Sequence, residues 1–240
     1  MRTFIVSLGV IALLSGSDCQ GGAKYKVDDA TIADLPASER GEVIAWQADR
    51  DLAISERARA QAAALTTDNA IVTAETEKAQ ARLASQKIAS DLDLAKPRRD
   101  VALLARLQAE LGVAKLAENV AEARLRWCKQ GREVNQAQLE ASGTHLQLAE
   151  ARIEQSRAHL AARHGRLPSG DFNVAVYDQQ ADRALRNHNK QSHSLLLQMQ
   201  QSTNLEKEYE QRLEQYRQGR AQTPSFMSAY TPPGYTQTGP

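Results

Sequence analysis

Aromatic residues are scarce in this 240-residue chain, which has 11 in all and only three phenylalanines. Globular cores of such length lean on large apolar and aromatic side chains, so the shortage argues against one compact core. Proline is nearly missing from the middle: between Pro36 and Pro224 only Pro97 and Pro168 occur. Two cysteines, Cys19 and Cys128, make no disulfide framework. Neither sign of charge dominates, with 30 Lys and Arg against 29 Asp and Glu. That balance argues against nucleic acid as a partner, because phosphates reward a basic surplus. What is plentiful is alanine, 39 residues, and glutamine, 22, with a quarter of the chain charged. Such a composition suits long helices lying against one another.

Residues 1–18 read as an export signal. Arg2 supplies the positive charge, Phe4 to Leu14 form an 11-residue apolar run, and Ser15 and Ser17 suit cleavage after Ser17. The run is too short to cross a bilayer, which takes about 20 residues. Cys19 follows in the context Leu13-Leu14-Ser15-Gly16-Ser17-Asp18-Cys19. This placement resembles the lipidated cysteine of bacterial lipoproteins. The lipobox of that family has leucine three residues before the cysteine and a small residue immediately before it; here those places hold Gly16 and Asp18. The resemblance implies lipidation at Cys19 and tethering to an envelope membrane of a bacterium. Plain cleavage at Ser17 would instead leave the chain free in the periplasm or outside the cell.

Punctuation divides the rest. Residues 19–37 are polar and mixed and read as a linker. Three helices are expected, over about 38–95, 98–164 and 174–218. They are separated by Lys96-Pro97-Arg98-Arg99 and by the breaker cluster Gly165 to Asp171, with Asp171 or Asn173 available to cap the third. The tail, 220–240, holds four of the seven prolines with Tyr230 and Tyr235 and is expected to be disordered.

The second helix carries the strongest pattern. Every seventh residue from Leu104 to Leu167 gives eight large aliphatics in ten positions, interrupted by Glu118 and Arg132. A companion lane is mostly small: Leu107, Ala114, Ala121, Cys128, Asn135, Ser142, Ala149, Ser156. A third reads Val113, Val120, Trp127, Val134, Ala141, Leu148. A seven-residue repeat this long implies a left-handed coiled coil, and three lanes imply two neighbours. The expected fold is therefore all-α, a long antiparallel three-helix coiled coil. Folding the third helix back to match large with small pairs Leu125 with Leu213, Leu139 with Met199, Ile153 with Leu185, Cys128 with Tyr209, Ala121 with Tyr216 and Ser142 with Leu195. It also pairs Glu118 with Arg220 and Arg132 with Glu206. The first helix carries Ile44, Ala58, Leu65, Val72 and Ala79, with Ala48, Ala62 and Leu83 alongside. A hairpin at Pro97 would set Leu83 on Leu111, Val72 on Ala121 and Leu65 on Cys128. A kinked single helix is the alternative, opposed by Pro97 and by the polar seam around it.

Catalytic chemistry is not signalled. His145, His159, His164, His188 and His193 lack the spacing of three or four that puts two metal ligands on one helix face, so they are expected to be solvated. Nucleotide-binding and nucleophile motifs are missing. No catalytic, cofactor or metal residue is assigned. Lys96, Arg98 and Arg99 form a cationic hairpin tip suited to contacting a partner or anionic surface. The expected role is a non-enzymatic envelope scaffold or spacer, held by its lipid and by other envelope proteins in a larger assembly; self-association is compatible. Two alternatives stand. Adaptors of efflux pumps use helical hairpins with similar seams, which points to a trans-envelope transport component, though 20–37 is too short for the β-rich domains of those adaptors. A periplasmic holdase cradling clients between helices is the other.

Overall fold

A computed structural model of the chain describes residues 27–166 and 172–223, apart from the Arg98 side chain. The signal at 1–18, Cys19, most of the breaker cluster and the tail from 224 onward lie outside the described residues. The body is all-α. A short 3-10 turn, Asp29–Thr31, precedes α1 (Gly41–Ala95); a second, Lys96–Arg98, leads into α2 (Val101–Arg163); α3 is Val174–Gln222. No strand occurs among the described residues. Pro97 thus sits in a full reversal and not in a kink. Asn173 caps α3, its side chain accepting from the Ala175 N–H at 3.0 Å.

α2 is the axis of the molecule. α1 and α3 each lie antiparallel along it and scarcely meet each other. The three lanes expected on α2 are all used, since Leu125, Ile153 and Leu160, then Ala114, Ala121, Ser142, Ala149 and Ser156, then Val113, Val120, Ala141 and Leu148 are buried. Which neighbour takes which lane differs from expectation. The leucine lane belongs to α1: Leu125 packs on Ile71 and Ala74, while Ile153 and Leu160 pack on Val43. Its two charged interruptions therefore turn to α1 as well. Arg132 bonds Asp68 at 2.9 Å, and Glu118 accepts from Ser85 at 3.0 Å. The expected partners Glu206 and Arg220 are not used. α3 takes the valine lane on another side of α2, where Tyr216 is buried among Val113, Ala117 and Val120 and Tyr209 stacks on Trp127, ring centroids 5.6 Å apart. Tyr216 had been expected on Ala121, so α3 lies about one helical turn from the expected register, and Met199 is exposed rather than seated on Leu139.

The face of α1 is also the reverse of the one expected. Ala53, Ala60, Ala74, Ala81 and Ala95, separated by seven or fourteen residues, are buried on the side of α1 that carries its contacts to α2. Ile44, Leu65, Val72 and Leu83 face solvent. Alanine on α1 lets the two backbones approach closely enough for the leucines of α2 to fill the seam. Flanking ion pairs hold that register: Glu77 with Arg124 at 2.5 Å, Lys129 with Glu75 at 3.3 Å and Lys78 with Glu122 at 3.8 Å. Large against small is preserved along this alanine lane, where α1 supplies the small side, while Val43 and Ile71 of α1 are buried beside it as larger members of the same seam.

Residues 27–37, expected as part of a polar linker, are packed instead. Val27 joins Ala158, Ala161 and Tyr177; Ile32 and Leu35 join Val43, Ile153 and Leu160. Asp29 reaches the buried Arg157 at 2.5 Å, and Asp34 pairs with Arg166. This segment closes the end of the rod where α2 finishes and α3 begins.

Among these pairs Glu77 is buried, so removing either partner strands a charge. A double-mutant cycle on Glu77→Ala and Arg124→Ala is expected to give a coupling of about 1–3 kcal/mol in urea unfolding. The exposed Arg50–Asp51 pair should give about 0–1 kcal/mol.

Candidate interaction sites

The hairpin tip is built by chain reversal. Arg99 adopts a left-handed conformation at φ 54°, its N–H bonding the Lys96 carbonyl at 3.3 Å. Asp100 then caps α2, accepting from the Leu103 N–H at 3.0 Å. Its carboxylate beside the first turn offsets the cost of nearby cations against the helix dipole. Lys96, Arg98 and Arg99 therefore do share one turn. Lys96 is bonded to Asp93 at 2.6 Å, whereas Arg99 lies exposed. Leu94 and Val101 flank the turn and are both largely exposed, so the tip offers cationic and apolar groups together.

Cys19, the assigned lipidation position, lies outside the described residues. Cys128 is half-buried against Ile71, Ala74 and Leu125. Burial pushes its thiol pKa up, which suits a packing residue and not a nucleophile or metal ligand.

The histidines are not simply solvated. His145 sits between two α1 carboxylates, with Nε2 3.1 Å from Asp49 and Nδ1 3.2 Å from Glu56. Its ring stacks on His188 of α3 at 5.1 Å between centroids. One layer thus ties all three helices together. His159 bonds Asp178 at 2.8 Å and His164 bonds Glu39 at 2.7 Å, each bridging two elements. The two nitrogens of His145 thus engage two different carboxylates, one heptad apart on α1. Among the described residues no group of three or more such ligands is arranged to hold a metal. Sequence spacing within one helix could not have revealed this layer. The seven-residue step from Asp49 to Glu56 was its only sequence signal, readable once α2 is laid alongside.

Besides the tip, two further apolar surfaces are open among the described residues. The outer face of α1 carries Ile44, Leu65, Val72 and Leu83; α3 exposes Leu196, Leu197 and Met199. No described helix is long and apolar enough to cross a membrane.

No family model, curated protein or solved structure matches the chain.

His188 is half-buried, its Nε2 3.4 Å from the Ser192 hydroxyl and its ring stacked on His145. Burial, and next His145, hold the His188 pKa below its ordinary value of 6.5; the Ala141 backbone, Asp49 and Glu56 oppose this more weakly. A depressed histidine favours the neutral form in the folded state, so its stabilisation is present above about pH 6.5 and is lost as pH falls. Asp178 is held low by Gln155 and then His159, which adds loss of stability only in stronger acid. Thermal melting should therefore fall as pH drops below about 6.5. The His188→Gln variant should show a flatter dependence in the same scan.

Proposed function

We propose that this chain is a non-enzymatic, exported coiled-coil scaffold or spacer of a bacterial cell envelope, anchored through Cys19 or free in the periplasm, within a larger assembly. The observation that carries the reading is α2, an unbroken 63-residue helix with a neighbour along each of two sides. At about 1.5 Å per residue it spans roughly 95 Å. A body of that form holds its ends apart. Ion pairs between elements support the reading too, because they tie the helices and the 27–37 segment into one body: Glu77 with Arg124, Arg157 with Asp29, and His145 with Asp49 and Glu56. The export signal and the cysteine after it supply the location.

The tip with Lys96, Arg98 and Arg99, bordered by Leu94 and Val101, favours a contact at the far end of the α1–α2 hairpin. A transport component would use the same tip against a channel, and a holdase would use the open apolar faces for unfolded clients. Fractionation of cells expressing the chain, with fatty-acid labelling and mass spectrometry of the N-terminus, tests the address. An acylated Cys19 in the envelope fraction is expected for the anchored form, and an unmodified N-terminus at Asp18 for the free form. Retention of the intact leader in the cytosol would contradict the proposal. Affinity purification from membranes separates the roles: a defined set of envelope proteins supports the scaffold, a channel the transport component, and a mixture of unfolded clients the holdase.

A further inference from the structure

The geometry points to the outer face of α1 as the seam of an antiparallel dimer between two copies of this chain. A helix with one neighbour needs one apolar face, and α1 has two, set on opposite sides. The inner one is the alanine lane buried on α2. The outer one repeats at the same seven-residue step. It runs through Ile44, Ala58, Leu65, Val72 and Ala79, with Ala48, Ala62 and Leu83 beside it. Its large members are 47%, 70%, 63% and 65% exposed at Ile44, Leu65, Val72 and Leu83. Asp51 is the only charge on these seam positions between 44 and 83. A stripe so nearly neutral, running about 60 Å along the helix, has the pattern of a coiled-coil seam without its second strand.

Size and charge single out a second copy as the occupant. In an antiparallel pairing, Leu65 of one copy faces Ala62 of the other, Val72 faces Ser55, Ala48 faces Ala79, Ile44 faces Leu83 and Asp51 faces Thr76. Leu65 and Val72 thus meet small residues, Ile44 and Leu83 meet each other at the two ends, and no like charges oppose. A parallel pairing in register sets Asp51 on Asp51 and Arg82 beside Lys87, which costs stability. The acids along the rim are already engaged within the chain, Asp68 with Arg132 and Glu75 with Lys129, so they add no repulsion between copies. Covering this stripe on both copies removes on the order of 1,200 Å² of surface, within the range of about 1,200–2,000 Å² of stable specific interfaces. A lipid surface fits less well, since it favours bulky aromatics and a basic border, and the stripe has no aromatic and a border on which Asp68 and Glu75 accompany Arg82 and Lys87. The inference stands apart from the envelope reading, and either can fail alone.

Sedimentation equilibrium of the full chain tests it. The wild type is expected to dimerise, and Leu65→Glu should weaken the dimer by about tenfold or more, roughly 1.4 kcal/mol, with the helical circular dichroism unchanged. Leu197→Glu, on the exposed part of α3, should leave the dimer intact. With Cys19 and Cys128 replaced by serine, a mixture of Ala62→Cys and Leu65→Cys chains should form the mixed disulfide, while Asn69→Cys alone should not cross-link to itself. A monomer throughout, a dimer indifferent to Leu65→Glu, or efficient self-linking of Asn69→Cys would overturn the proposal.

Discussion

The structure depends on one interlock, the alanine lane of α1 set into the leucine lane of α2. Ala53, Ala60, Ala74 and Ala81 are almost wholly inaccessible, and their small size is what allows Leu125 and its neighbours to fill the gap between two long helices. Alanine contributes little apolar area by itself. Its contribution is proximity, which converts the larger side chains of α2 into buried surface worth about 25 cal/mol per Å². The flanking pairs, Glu77 with Arg124 foremost, then choose among sliding positions that the repeat alone would leave nearly equivalent. A seam built this way runs along the greater part of both helices.

That interlock decides everything downstream. Because α1 spends its alanines on α2, its larger residues are left outside. Because α1 takes the leucine lane, α3 must settle on the valine lane at another side of α2, and the two outer helices stay largely apart. The segment 27–37 and the histidine layer then do what a third shared seam would do in a closed bundle. Val27, Ile32 and Leu35 close one end, while His145, held by Asp49 and Glu56 and stacked on His188, links all three helices along their length.

Much of this was legible in the sequence. The three helices, the turn at Pro97, the cap at Asn173 and the three lanes of α2 all follow from local chemistry and periodicity, which depend on neighbours within a turn or a heptad. Partner choice does not. Leu65 and Val72 looked like core because they are large, yet the buried lane of α1 is the one holding Ala53, Ala60, Ala74 and Ala81, an equally regular repeat hidden by the small size of its members. Arg132 and Glu206 matched in charge, but Asp68 offered the same match from the other helix. Opposite-charge matching restricts register only after the facing lanes are known, and a helix rich in alanine on two sides leaves that choice to packing. The histidine layer was hidden for the same reason, since Asp49, Glu56, His145 and His188 come together only in the true arrangement. The packing of 27–37 is not legible in the sequence, because its apolar residues, Val27, Ile32 and Leu35, are spaced without a helical or strand period.

Which helix occupies the leucine lane of α2 is the question on which all of this turns, and short-span cross-linking answers it. In chains lacking the native cysteines, a brief thiol-reactive bridge applied to Asp68→Cys/Arg132→Cys should close efficiently within one molecule, as the bond between Asp68 and Arg132 requires. The Glu206→Cys/Arg132→Cys pair should not close. Efficient closure of the second pair with failure of the first would mean that α3 holds the leucine lane, and the arrangement of α1, its alanine seam and its open outer face would all be wrong.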